Sequence, residues 1–258
     1  MALSTKSKFY YGWEVTASNR YIDFYDGTDT LQAVLTLGTY TSQELADEVA
    51  LQLNTLAGIT FTVTFNRTNR RFTIAAGSNF NLLFATGSQA GNSAAGLLGY
   101  ASSDLTAAAT YTSSSNTGYE YSPQFYLQSY KPTTNNRKAI DAVVNKSASG
   151  VIEVIKFGNE RFMSCEILFI TNTRQDTGSI IETDVDAVES YISFIEWATD
   201  KGKIEFMPDR SDVTTYQDFI LESTDANSDG LDYELIELYD RNLPEYYRSG
   251  MLKFRLLE

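Results

Sequence analysis

The sharpest pattern in this sequence that could do chemistry is Asp225-Ala-Asn227-Ser-Asp229-Gly230-Leu-Asp232-Tyr-Glu234. Oxygen ligands at alternate positions, followed by a glycine that permits a sharp turn, are what a calcium loop requires. The match stops short, because Ile236 stands where the closing bidentate glutamate belongs. Both flanks also read as strands rather than helices. Asp, Asn and Gly are equally what tight turns require, so an acidic hairpin turn is the favoured reading. The alternative is a calcium ion held by Asp225, Asn227 and Asp229, the only cofactor the sequence suggests.

Other chemistry is restricted by composition. Histidine is absent from the 258 residues and Cys165 is the only cysteine. No Ser-His or Cys-His nucleophile, no thiolate zinc site and no internal disulfide can therefore be built. Cys165 lies in the apolar stretch Met163–Ile170 and reads as a small core residue. Carboxylate pairs such as Asp184/Asp186 and Asp209/Asp212 lack the apolar surroundings that raise a general acid's pKa. We expect no enzymatic activity. Glycines 87, 91, 96 and 99 fit no phosphate-loop pattern and read as loop and close-packing positions. Arg67, Arg70 and Arg71 read as a solvated loop tip rather than an anion site.

The charge is −13, from 20 basic and 33 acidic residues. Residues 1–130 carry 6 basic and 9 acidic side chains, a balance of −3; residues 131–258 carry 14 and 24, a balance of −10. Such a chain is a poor partner for phosphate backbones or anionic lipid. We expect neither direct nucleic-acid binding nor membrane association. The first residues hold no apolar run long enough for a signal peptide, and no stretch approaches a membrane span. A soluble protein assembled in a cytoplasm is the expectation.

The elements that must position these residues are mainly β. Seventeen Tyr and 15 Phe suit half-buried pleated surfaces. Residues 9–40 alternate and contain the turn signal Asp26-Gly27, which predicts two or three strands. Thr41-Ser-Gln-Glu44 is a capping box. Leu45, Val49, Leu53 and Leu56 then form one apolar stripe, predicting a helix over 42–56 that Gly58 closes in the left-handed region. Ile59–Phe65 and Arg70–Ala75 predict a hairpin with threonine outside. Residues 101–118 read as an exposed connector. Lys131–Arg137, punctuated by Pro132, is read as a boundary between domains 1–130 and 138–258.

In the second domain a strand at 151–157, a turn at Gly158-Asn159 and a strand at 161–170 precede a helix over 185–199. Asp184 would cap that helix, Val188, Ile192 and Ile195 would line it, and Gly202 would close it. Strands at 203–207, 213–221, 232–240 and 250–257 follow. The expected fold is mainly β with minor α: two antiparallel sheets or small barrels, each carrying one helix. Trp13, Trp197 and the tyrosines are mostly sheet packing. Tyr246 and Tyr247, after Pro244 in an expected loop, are the interface candidates.

Residues 138–258 resemble the small β domain of phage tail-tube, distal-tail and baseplate proteins. The likeness lies in Ser149-Gly150, Phe157-Gly158 leading into Arg161–Phe169, the helix around Val188–Trp197, Gly202–Asp209, Tyr216–Leu221 and Arg248–Leu257. Residues 39–100 are similar to a domain of phage virion and tail proteins. That likeness rests on Gly38-Thr-Tyr-Thr41, Leu45, Leu53-Asn54, Leu83-Phe84-Ala-Thr-Gly87, Leu97-Leu-Gly-Tyr100 and Ser103-Asp104. The resemblance implies a virion structural protein of the tail tip or baseplate. Its partners would be its own copies in a ring-like homo-oligomer and other tail proteins. A carbohydrate-binding adhesin module or a capsid decoration protein is the alternative.

Overall fold

The computed structural model describes residues 8–121, 130–133, 139–146, 152–160, 162–167, 170–171, 188–208, 212–222, 233–237, 246–249 and 252–257. The chain divides into two compact units, Tyr10–Glu120 and Met1–Phe9 with Tyr121–Glu258. Its first strands are β1 (Lys8–Tyr11), β2 (Trp13–Val15), β3 (Tyr21–Tyr25), β4 (Thr30–Val34) and β5 (Gly38–Tyr40). Helix α1 (Ser42–Leu56), β6 (Phe61–Asn66), β7 (Arg71–Leu82), α2 (Ala95–Leu98), β8 (Leu105–Thr112) and β9 (Tyr119–Tyr121) follow. Then come β10 (Tyr130–Thr133), β11 (Ala139–Lys146), β12 (Ile152–Glu160), β13 (Phe162–Ile167) and β14 (Ile170–Thr171). The chain ends with α3 (Val188–Asp200), β15 (Lys203–Met207), β16 (Gln217–Leu221), β17 (Tyr233–Glu237), β18 (Tyr246–Ser249) and β19 (Leu252–Leu256). The fold is mainly β and antiparallel, and among the described residues no sheet closes into a barrel.

In the Tyr10–Glu120 unit, β7 organises a five-stranded sheet. Its register puts Phe61↔Ala76 through Asn66↔Arg71 against β6. Further along, Leu82 pairs with Phe24 of β3. The strand also pairs with β8, from Thr73↔Thr112 to Leu82↔Leu105. Phe61, Val63, Phe65, Phe72 and Ile74 are buried, whereas Thr62 and Thr64 are exposed. This alternation follows from the two-residue period of a strand. The hairpin and its outer threonines are as expected. Residues 101–118 are not a connector, because Leu105–Thr112 is a strand of the sheet.

Helix α1 has the expected capping box. The Thr41 hydroxyl accepts from the Glu44 amide at 3.4 Å, and the Glu44 carboxylate accepts from the Thr41 amide at 2.9 Å. Leu45, Val49 and Leu53 are fully buried. Each contributes about 1.5–3 kcal/mol by leaving water. Leu56, in contrast, the last residue of the helix, is 45% exposed. Gly58 does not close the helix in the left-handed region. Ala57 leaves it in extended geometry (φ −79°, ψ 150°), and its amide is donated to the Leu53 carbonyl. The Gly58 amide is instead donated to the Asp26 carboxylate, at 2.9 Å.

The other unit contains a seven-stranded sheet in the order β10-β13-β19-β16-β15-β1-β9. The register Met163↔Phe254 joins β13 to β19, and Phe219↔Leu256 joins β16 to β19. Phe9 is buried against the rings of Phe194 (4.9 Å), Phe206 (5.0 Å), Phe254 (5.8 Å) and Tyr121 (6.3 Å). Tilted and offset ring pairs of this kind add to area burial. Strand β12 continues through Gly158-Asn159 and pairs with β11, with a register shift beside Gly158 (between Asp141 and Ala142 of β11), so the turn expected there is absent. Lys131–Thr133, inside the stretch read as a linker, lies in β10 and pairs with β13.

Helix α3 presents Tyr191, Phe194, Ile195 and Ala198 to the core, and Ile192 is only half-buried. Of the expected Val188–Ile192–Ile195 line, Ile195 is buried and Ile192 half-buried, and the rings of Tyr191 and Phe194 are buried beside them. Gly202 (φ +86°) follows the helix, with its amide donated to the Trp197 carbonyl. This is the expected glycine closure. Asp184 lies outside the described residues.

The uneven burial along α1 makes a prediction. Leu53→Ala should cost about 2–5 kcal/mol, while Leu56→Ala should cost under about 0.5 kcal/mol. Denaturant unfolding of the two variants checks the difference.

Candidate interaction surfaces

Several polar side chains of the described residues are tied to backbone. Asp26 accepts from the amides of Thr28 (2.8 Å), Asp29 (2.9 Å) and Gly58 (2.9 Å). These bonds, that from Asp29 foremost, hold its carboxyl below the usual carboxylate range. Asp104 accepts from the Thr86 hydroxyl and from the Ala85 and Thr86 amides, and is lowered in the same way. Asp212 accepts from the Thr214 and Thr215 hydroxyls and is lowered to about 2. Asp23 accepts from Gln32, Ser88 and the Gln89 amide, fastening the 83–89 loop to β3. The lowered carboxyls of Asp26, Asp104 and Asp212 are poor proton donors at neutral pH. These acids hold turns.

Two of the three arginines, Arg67 and Arg70, are not part of a solvated tip. Arg67 is buried, with Nη2 donating to the Ser42 hydroxyl (3.3 Å), and its carbonyl accepts from the Tyr10 hydroxyl (2.7 Å). Arg70 donates Nη1 to the Gly118 carbonyl at 3.2 Å. The hairpin tip folds back onto neighbouring segments of its own unit, which local charge spacing does not reveal.

Asp225, Asn227 and Asp229 lie outside the described residues, as do Asp184, Asp186 and Asp209. Among the described residues, no three acidic, histidine or cysteine side chains converge as a metal site would need. Tyr246 and Tyr247 are not in a loop. Their backbone runs in β18, the middle strand of a three-stranded sheet, with Tyr247 paired to Ile170 and to Leu235. Cys165 lies in β13, opposite Pro132 and Leu252. Trp13 is buried against Phe65 at 5.3 Å, as sheet packing.

Two surface features remain. One is an in-register array of small side chains across β6, β7 and β8. Thr64, Thr73 and Thr112 form one row, and Thr62, Ala75 and Thr110 form the next. The hydroxyls of Thr73 and Thr112 are 2.9 Å apart. Thr62, Thr64, Thr110 and Thr112 are exposed. Thr110 and Thr112 fall in the stretch read as a connector, although the alternation Thr110-Tyr111-Thr112 is a strand signal. The other feature is Tyr119, 61% exposed, its ring 5.5 Å from that of Tyr11. Burial, and then the neighbouring Tyr119, push the Tyr11 hydroxyl up to about 12.

No protein-family model matches the chain, and no curated protein matches its sequence. Among the described residues no helix is long and apolar enough to cross a membrane.

The lowered carboxylates set a pH dependence. Each is bound more tightly as the anion in the folded state, so its stabilisation is fully present above the unfolded carboxylate pKa of about 3.9. It is lost as pH falls through the folded value, which for Asp212 is about 2. The denaturant midpoint should therefore drop between about pH 4 and pH 2. In Asp26→Asn the drop should be shallower, and the Gly58 amide should exchange faster with deuterium.

Proposed function

We propose that this chain is a structural component of a tailed-bacteriophage virion, of the tail tip or baseplate, working by protein–protein contact and not by catalysis. Copies join in a ring-like homo-oligomer, assembled in the host cytoplasm, and dock on other tail proteins. Nucleic acid and membrane are not partners.

The observation that carries this reading is a charge-free rim. Strands β4, β6 and β8 are the outer strands of the five-stranded sheet, and none holds a charged residue, in a chain that is 21% charged. Proteins that remain alone guard such edges with lysine, proline or inward charge, since a bare edge templates pairing with another chain. Supporting it are the absence of histidine from the sequence and the use of Asp26, Asp104 and Asp212 as turn anchors. Both favour a role carried by surfaces.

A second reading, a carbohydrate-binding module, is favoured by exposed Tyr119 beside Tyr11, since a sugar ring stacks on such a face. Selective binding on a glycan array that is lost in Tyr119→Ala would establish it.

Negative-stain electron microscopy of the purified chain, with and without calcium, tests the first reading. Closed rings in both conditions are expected. Rings that need calcium would bring Asp225, Asn227 and Asp229 forward as ligands. Monodisperse monomers in both conditions, at high concentration, would overturn self-assembly.

A further inference from the structure

We propose that Tyr11 and Tyr119 form a site of oxidative modification, at which a covalent bond between the two phenol rings closes the Tyr10–Glu120 unit on itself. The proposal goes beyond the assembly reading and needs no second copy.

Both reacting groups are already in contact. Tyr11 ends β1 and Tyr119 begins β9, its neighbour in the strand order. The ring centroids are 5.5 Å apart and the planes are inclined by 31°. Tyr11 is 6% exposed and Tyr119 is 61% exposed, so one ring is fixed by its surroundings while the other meets solvent. Tyr121 and Tyr191 also meet, at 6.2 Å, but both are buried and give an oxidant no access. The hydroxyls of Tyr11 and Tyr119 lie near each other as well. Burial first, and then the charge of Tyr119, raise the Tyr11 pKa to about 12. One phenolate acts on another in this way only across a short distance. The carbons at which oxidised phenols couple are those beside the oxygen, so they are neighbours too.

The backbone keeps the outer ring in place. Gly12 (φ +105°) lies beneath Tyr119, whose ring occupies the space a Cβ would take. At Gly118 (φ +65°) a Cβ would run into the Trp13 ring and the Tyr11 carbonyl. Glycine adopts such φ values without strain. Arg70 fastens the same segment. Its Nη1 donates to the Gly118 carbonyl at 3.2 Å, and its own carbonyl accepts from the Thr117 amide at 2.8 Å. Tyr119 is therefore an exposed ring with a defined seat against Tyr11.

The reaction takes a one-electron oxidant of the class that a haem peroxidase makes from hydrogen peroxide. The oxidant removes an electron from the exposed Tyr119, and its phenolic proton passes to water. Tyr11 loses its electron through the Tyr119 ring in a second such step, and its proton also passes to water. The two phenoxyl radicals pair in one carbon–carbon bond between ring carbons ortho to the oxygens. The hydrogens on those carbons move to the oxygens as the rings regain aromaticity. Two electrons and two protons have then left the protein, and one hydrogen peroxide has taken them up to become two waters. The dityrosine ties residue 11 to residue 119. Like a disulfide across a long loop, it restricts the unfolded chain.

Treatment of the dilute full chain with a haem peroxidase and hydrogen peroxide, followed by digestion and mass spectrometry, tests this. The expected product is a monomer that has lost two hydrogens and shows dityrosine fluorescence. Its cross-linked peptide pair should hold Tyr11 and Tyr119, and its denaturant midpoint should lie above that of untreated protein. Tyr119→Phe, at an exposed position, keeps the ring and removes the phenol. It should lose the cross-linked pair and the rise in midpoint, with circular dichroism unchanged. Tyr11→Phe should lose them as well, whereas Tyr25→Phe should keep both. Dityrosine formed only between molecules, or within the chain at other tyrosines, would overturn the proposal. So would oxidised monomer in which residues 11 and 119 stay on separate peptides. These readouts are taken on the monomer, so they stand or fall separately from ring assembly.

Discussion

Strand β7 sets the character of the Tyr10–Glu120 unit through its side-chain alternation. Phe72 and Ile74 point into the core, and Thr73 and Ala75 point away. The strand pairs with β3, β6 and β8, so the same parity is imposed on each of them. A slip of one residue would bring threonines into the core and phenylalanines to the surface, which strongly fixes the register. One strand therefore creates both the buried aromatic layer and the threonine-rich outer face. Helix α1 and the Asp26 carboxylate secure the other parts around it, the latter by tying the 26–29 turn to Gly58.

The second unit depends on a different kind of constraint. Phe9 sits among Phe194, Phe206, Phe254 and Tyr121, rings drawn from α3, β15, β19 and β9. A ring that touches four others cannot be removed without leaving a cavity that none of them can fill alone. The first described strand of the chain thus belongs to a sheet otherwise built largely from its second half. The order of strands along the chain and their order in the sheet are unrelated here, and the aromatic cluster records where they converge.

The polar chemistry follows from these frames. Asp23, Asp26, Asp104 and Asp212 meet amide or hydroxyl donors in turns and loops, where strand ladders leave backbone groups without partners. Their carboxylates are thereby occupied.

Local signals were enough for some of this. The capping box at Thr41 and Glu44, the Leu45–Val49–Leu53 stripe, the alternating hairpin at 61–75 and the glycine after α3 all involve residues within a few positions of each other. Their energetics are settled by neighbours in sequence, and they were legible there. What sequence left undetermined involved distant partners. Leu105–Thr112 is rich in small residues and became a strand only because β7 offered it an edge. Arg67 was drawn out of water by Tyr10 and Ser42, 57 and 25 positions away. Gly58 was taken by Asp26 across 32 positions. The core face of α3 was chosen by Tyr191 and Phe194, whose rings pack against Tyr121 and Phe9. The sequence by itself determined the elements whose hydrogen bonds and apolar periods close locally. Only the tertiary structure decided which face each element buries and which strands pair, because those choices depend on side chains that meet only once the chain has folded.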